Sequence, residues 1–553
     1  MDKFQEEIIN FLKKKAKQEI NLEIPPKPEL GDYAFPCFNL AKSFKKEPDE
    51  IAKELSSKFP KTELIKEVKV IGPYVNFFIN KNKLTEVILK KIIKEKNEYG
   101  SSNIGKNKRI IVEHTSINPN ASPHVGRARN AFIGDCIVRI LKFQGYDVET
   151  HYYINDVGKQ IAILVLGAKN KKNIKFEDLL KIYIEINKKV EKDKKLEKEV
   201  FDLLYKLEKE DKKIKAEFKR VIDICVKGQI KLFFELSIKY DKFDYESKYL
   251  WDKKTKAVLR ELERTGMLFI DKDNRFVLDQ KGFELGMKVP ILVLTRGDGT
   301  SLYPLRDLAY TIEKVSKSHN IVVLGEDQKL YFEQLAAALK IMGYAVPEVV
   351  HYSFVLLEEG KMSTRKGNLV LLEDFMKEAL KKAKVEIKKR HEKVNESSAK
   401  AIGYGAIKYS ILRVSTEKNV IFNWQQALSF EGESAPYIQY AYARICSIFK
   451  KYNKKISGKI NYSLLNKKEE IELIKKIAEF PNIISRITDN LKPHIIANYL
   501  YELSQKFNEF YHLCPVLKEK EDIKKARLLL IIAVKQVLSN GLSLLGIETL
   551  EKM

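Results

Sequence analysis

The sequence predicts an α/β protein: a doubly wound parallel sheet interrupted by a helical insertion, with a small α/β module before it and an all-α segment after it. Three observations predict this. Five short apolar runs alternate with helical patterns between residues 108 and 357, residues 168–227 contain neither Gly nor Pro, and strand signals largely disappear after about residue 374.

The elements follow in order. Residues 1–100 open on a helical pattern of Phe4, Ile8, Ile9 and Leu12, then turn to period-two runs in GDYAFPCFNLAKSF and IGPYVNFFIN, which close near Tyr99 and Gly100. KRIIVEHTS (108–116) reads as a buried strand, followed by a Pro-containing loop and a helix from about His124 to Gln144 that stops at Gly145. DVETHYYI (147–154), PILVLTR (290–296), NIVVLG (320–325) and HYSFVLL (351–357) supply the other four strands. Between the second and third, Lys, Glu, Leu and Ile at helical spacing mark an excursion out of the sheet. The predicted boundaries are 1–100, 101–160, a mainly helical insertion over 161–288, the second half of the sheet over 289–374, and helices over 375–553.

Composition excludes several classes. With 44% hydrophobic residues the chain is too apolar for disorder, and its 553 residues predict about three to five domains. No run approaches the ~20 consecutive apolar residues that span a bilayer, and the amino end is a charged amphipathic pattern, so no membrane association is expected. The location expected is the cytoplasm. Cys37, Cys136, Cys225, Cys446 and Cys514 are odd in number and never form a CxxC pair, which argues for buried thiols rather than disulfides or a structural zinc. The net charge of +26 fits a polyanionic partner such as RNA, and equally a chain that uses Lys for any solvated charge. The motifs decide between them.

Neither a GxxxxGK[ST] loop nor a GxGxxG is present. Pro123-His124-Val125-Gly126-Arg127 instead opens a helix after the first strand, where backbone N–H groups, a His and an Arg suit a phosphate, and Gly126 leaves room for a purine. GKMSTRKGN (360–368) follows the last strand and carries Lys361, Arg365 and Lys366 to the same edge of the sheet. Each string alone reads as well as a local turn. Together, HVGR and KMSTR resemble the paired signatures of class I aminoacyl-tRNA synthetases, usually written HIGH and KMSKS, on a Rossmann-like sheet. HYYINDVGKQIA, FDYESKYL, GDGTSLYPLRDLAY, GEDQKLYFEQLAAALKIMGY, EGESAPYIQYAYARICSI and NGLSLLGI narrow the resemblance to the arginyl-tRNA synthetase family.

That resemblance implies activation of arginine by ATP to arginyl-adenylate and pyrophosphate, then transfer to the 3′ end of the tRNA for arginine. It implies no covalent enzyme intermediate, so catalysis would rest on positioning and charge stabilisation. His124, Arg127 and Lys361 are the implied catalytic residues, and Gly126, Met362 and Ser363 join them in holding ATP, whose phosphates bring magnesium. A guanidinium needs carboxylate acceptors and tolerates aromatic faces, so Asp307, Tyr303 and Glu113 suit the arginine side chain. By resemblance Asn118 and Gln328 take the α-amino and carboxylate end. Without the family match, Asp307 would read as an ion pair with Arg306.

The carboxy-terminal helices resemble the family's anticodon-binding bundle, and Tyr437, Gln439, Tyr440, Tyr442 and Arg444 offer stacking platforms and a cation, about half of them expected to face RNA. The amino-terminal module resembles the one that grips the tRNA elbow, with Phe35 and Asn39 as its candidates. A monomer is expected. Arg127 replaces the second histidine of HIGH, and Thr364 the second lysine of KMSKS. Those changes support one rival, a catalytically silent RNA-binding paralogue. A second rival, an adenylating enzyme for another amino acid, is opposed by YPLRD.

Overall fold

The computed structural model describes residues 3–16, 19–169, 171, 173–357, 370–389 and 394–553. Its centre is a five-stranded parallel sheet. The strands are β1 (Arg109–Glu113), β2 (Asp147–Ile154), β3 (Lys242–Tyr245), β4 (His319–Gly325) and β5 (Glu348–Tyr352), in the spatial order β5-β4-β1-β2-β3. The chain winds outward from β1 in one direction and later returns to its other side. The carboxyl ends of β1 and β4 therefore form the switch point, where open α/β sheets bind ligands.

Helix α1 (Val125–Phe143) crosses the sheet beside β1 and is buried along most of its length, from Val125 to Leu141. It is also a meeting line, because a single apolar core runs from Phe4 and Leu12 at the amino end through Phe132 and Ile137 of α1 to Leu538 and Ile547. The amino-terminal module packs the helix Lys3–Ala16 on an antiparallel sheet of Tyr33–Pro36, Tyr74–Ile79 and Ile65–Ile71, with the predicted periodic residues Phe4, Ile8, Ile9 and Leu12 all buried.

One strand of the main sheet differs from expectation. PILVLTR contributes Ile291–Val293 to a separate antiparallel sheet with Phe276–Asp279 and Leu268–Ile270, while β3, from within the predicted helical insertion, is the fifth parallel strand. Apart from these strands the insertion is mainly helical, through Lys159–Ala168, Leu179–Val190, Lys194–Glu208 and Lys212–Glu235. HYSFVLL also divides: β5 ends at Tyr352, and Val355–Leu357 pairs in parallel with Val420–Phe422, a short strand inside the segment read as all helix.

The tail is helical apart from that strand. Two of its buried charges pair, Arg527 donating to Glu470 at 2.7 Å. Among the described residues one helix, Glu521–Leu544, is long and apolar enough to cross a membrane. Its apolar residues, from Leu528 to Leu542, are packed in the protein core. All five cysteines are free, four buried and Cys446 half-buried.

Candidate active site and nucleic-acid surfaces

His124 occupies the N-cap position of α1 in extended conformation, so its ring stands at the helix entrance. Burial, then the charge of Arg127, lowers its pKa to about 4, which keeps the imidazole neutral near pH 7. Its Nδ1 is buried without a hydrogen-bond partner. Two backbone bonds tie this entrance to the chain beyond the second signature: Val125 N donates to Val370 O at 3.1 Å, and Leu372 N to Pro123 O at 2.7 Å. Val370 and Leu372, which follow KMSTR in the chain, thus lie against HVGR. Lys361, Met362, Ser363 and Thr364 themselves lie outside the described residues.

Arg127 points across the switch point to Asp327, just after β4, with Nη2 to Oδ2 at 3.5 Å. Gln328 donates to the same carboxylate at 3.0 Å. The turn after β1 is strained, because Thr115 and Ser116 both hold positive φ, 75° and 41°. Asn130 of α1 fixes it, accepting from Thr115 N at 2.5 Å while its amide donates to Val323 O of β4 at 2.7 Å. From this turn the loop presents Asn118 and Asn120, both donating to Gln160 Oε1 at 3.2 Å.

Asp307 lies in the second turn of α2 (Tyr303–Val315) and does not pair with Arg306. Arg306 is buried and donates to Glu246 at 2.6 Å. Asp307 instead accepts from the hydroxyls of Tyr153 at 3.0 Å and Tyr331 at 2.5 Å, and burial pushes its pKa above the usual carboxylate range. Tyr303, half-exposed, leans on Tyr331 with ring centroids 5.1 Å apart. The result is a carboxylate among aromatic rings, suited to a planar cation. Glu113 is buried too, but it is engaged by Lys314 and by Ser116.

In the tail, Tyr437, Tyr440 and Arg444 of α3 (Ala435–Tyr452) share one helix face and line a cavity of about 880 Å³ with Phe430, Tyr501 and Asn508. Arg444 lies over the rings of Tyr440 and Tyr511, 4.7 and 4.8 Å from their centroids, and donates to Asn508 at 2.6 Å. Gln439 does not belong there. It is fully buried and donates to Ala401 O and Glu548 O, so it fastens α3 to its neighbours. Tyr442 is buried as well. In the amino-terminal module Phe35 is a core residue, its strand position opposite Val75, whereas Asn39 is exposed beside Phe38, an exposed ring packed edge-on against Tyr74.

Three family models match the chain: "tRNA synthetases class I (R), catalytic domain" over residues 88–424, "DALR anticodon binding domain" over 438–553, and "Arginyl tRNA synthetase N terminal domain" over 2–79. The arginine–tRNA ligase of Methanocaldococcus jannaschii is 43% identical, with 98% of each chain covered. The chain belongs to the arginyl-tRNA synthetase family. The Pyrococcus furiosus arginine–tRNA ligase is 36% identical over 97% of this chain and 96% of its own. The Thermus thermophilus arginyl-tRNA synthetase structure superposes with a TM-score of 0.85 at 26% identity, covering 99% of both chains. Family membership supplies the doubly wound sheet, the amino-terminal module and the helical tail together.

Residue chemistry alone missed several site groups. Asp327 and Tyr331 stand inside GEDQKLYFEQ, but nothing in that string distinguishes them from surface residues. Tyr153 sits in an apolar strand and reads as core.

Proposed function

We propose that the chain is an arginine–tRNA ligase, which joins arginine to ATP as arginyl-adenylate with release of pyrophosphate and then passes arginine to the 3′ end of its tRNA. The observation that carries the reading is the Asp307 carboxylate, ringed by Tyr153, Tyr303 and Tyr331 on a sheet whose switch point holds His124 and Arg127. Asp307 takes the guanidinium. His124, as a neutral donor, and the cationic Arg127 face the ATP phosphates, with Gly126 beside them and Lys361, Met362 and Ser363 on the opposite loop. Magnesium arrives with the nucleotide as part of the substrate. Asn118 and Gln328 serve the amino-acid backbone, and Glu113 orders the pocket through Lys314 rather than meeting the guanidinium directly.

The RNA is held at two further places. Tyr437, Tyr440 and Arg444 stack on and neutralise unpaired anticodon nucleotides, and Phe38 with Asn39 replaces Phe35 at the elbow. The chain works as a cytoplasmic monomer. Attachment of radiolabelled arginine to total tRNA tests the reading. Charging with arginine and with no other amino acid is expected, and binding of tRNA without any charging would favour a silent RNA-binding protein.

A further inference from the structure

Arg129 lies two residues beyond Arg127 on α1 and is the largest fully buried side chain in the molecule's described part. An isolated buried guanidinium is strongly disfavoured, so its partners reveal what it is there to hold. Its hydrogen bonds run to main-chain carbonyls: Nη1 to Ser353 O at 2.7 Å and Lys418 O at 2.8 Å, and Nη2 to Ser415 O at 2.8 Å. These acceptors come from two distant stretches of chain. Ser353 follows β5, whereas Ser415 and Lys418 belong to the turn that leads from the helix Glu396–Leu412 into Val420–Phe422.

The two stretches also grip each other. Ser353 N donates to Thr416 O at 2.8 Å, Val420 N to Phe354 O at 2.9 Å, and Phe354 N to Asn419 Oδ1 at 3.0 Å. The parallel pair Val355–Leu357 with Val420–Phe422 then runs directly up to the KMSTR string in sequence. Five residues back from Arg129, at the entrance of α1, stands His124. One side chain therefore joins the helix carrying the first signature, the strand that leads into the second, and a turn within the helical tail. A rigid fork with donors in fixed directions can satisfy several carbonyls at once, and an ammonium cannot.

We infer that Arg129 is a positioning residue for the ligase reaction: it sets the phosphate-facing end of α1 against the strand pair that precedes the second signature, and it governs the rate of adenylate formation rather than the binding of either substrate. The inference rests on the ligase reading. Each half of the site keeps its own local contacts to ATP and arginine, so binding survives a loosened junction. Simultaneous engagement of the transferring phosphate by both halves does not, because it depends on their relative placement.

The test uses the full chain with its tRNA, comparing the parent with Arg129→Met and Arg129→Lys in arginine-dependent ATP–pyrophosphate exchange, with active sites counted by single-turnover adenylate formation. Arg129→Met is expected to lower kcat per active site by about 100-fold, the order of an ångström-scale misplacement, with the KM for ATP and arginine changed less than about threefold. Arg129→Lys, which restores the charge but not the fork, is expected to recover about tenfold of that loss. A residue that merely fills the core would lower the melting temperature and the number of active sites while leaving kcat per site at the parental value, and that result overturns the inference. Should Arg129→Met fail to fold, parental kcat in Arg129→Lys overturns it equally. An inactive parent would overturn the ligase reading and this inference with it, whereas an active parent with kinetically unchanged variants overturns this inference alone.

Discussion

Replacing Asp307 by Asn separates what the carboxylate does for arginine from what it does to the fold. Burial desolvates the carboxylate and raises its pKa, while the Tyr331 and Tyr153 hydroxyls and the charge of Arg306 favour its ionised form. An amide of the same shape removes the cost of burying that charge, and a rotated tyrosine hydroxyl can accept from the new NH₂, so Asp307→Asn should leave stability unchanged or raise it by about 1 kcal/mol. Arginine loses far more. Removing one partner of a buried, hydrogen-bonded charge pair costs about 2–5 kcal/mol, which at 1.36 kcal/mol per decade is about 30- to 5,000-fold in kcat/KM for arginine. The KM for ATP should not move. The pH dependence has a defined sign: arginine needs the ionised form, so its kcat/KM falls as pH falls through the raised pKa, beginning above the range of an ordinary carboxylate. The assay is pyrophosphate exchange with arginine varied at several pH values, alongside a thermal melt. An Asp307→Asn chain that retains kcat/KM for arginine within about threefold while remaining folded would refute the pocket assignment, since even a weak charge pair exceeds that.

Other expectations follow from the same geometry. His124→Ala should lower the adenylation rate by about 2–4 kcal/mol with tRNA affinity unchanged, measured by exchange and by filter binding. Because the folded pKa of His124 is depressed from 6.5 to about 4, no histidine step from it should appear in kcat/KM near neutral pH, and stability that depends on the neutral ring is lost as pH falls through that interval. Phe38→Ala should raise the KM for tRNA by the equivalent of about 1–3 kcal/mol at unchanged melting temperature, whereas Phe35→Ala should cost about 3–5 kcal/mol of stability, seen by urea unfolding. Arg444→Ala should weaken tRNA binding and flatten its salt dependence, while Gln439→Ala should lower the melting temperature instead.

How far the sequence could be read depended on whether local pattern settles a residue's surroundings. The strands β1, β2 and β4 are apolar enough to declare themselves. Lys242–Tyr245 is not: four residues with charges at Lys242 and Asp244 at the edge of the sheet carry too little signal, although Asp244 is buried there against His151 and Tyr310. PILVLTR has the opposite problem, because apolar content predicts a strand without predicting which sheet takes it. Among the RNA candidates, helical spacing alone could have sorted one group. Tyr437, Tyr440 and Arg444 stand at i, i+3 and i+7, and Gln439 falls off that face. Phe35 needed the pairing of its strand, which turns its ring inward, while Phe38 lies just past the strand end where the chain leaves the core. Asp307 showed the limit most clearly: its neighbour Arg306 was the obvious partner by sequence, and Glu246, sixty positions away, takes that role.

The departure of HVGR from the usual signature can now be weighed in charges. Arg127 and Asp327 are about two-fifths exposed and 3.5 Å apart, so their pairing contributes only about 0–1 kcal/mol and is screened by salt. A triphosphate bound at this entrance, as proposed, would bring several negative charges to the same guanidinium and would displace that carboxylate at small cost. Asp327 is not stranded by the exchange, because Gln328 already donates to it at 3.0 Å. A histidine at position 127 would gain charge only by taking up a proton. Arginine carries its charge at every physiological pH. The substitution therefore adds a permanent cation to the switch point where the phosphates are proposed to sit, which is the reverse of what a silent paralogue needs.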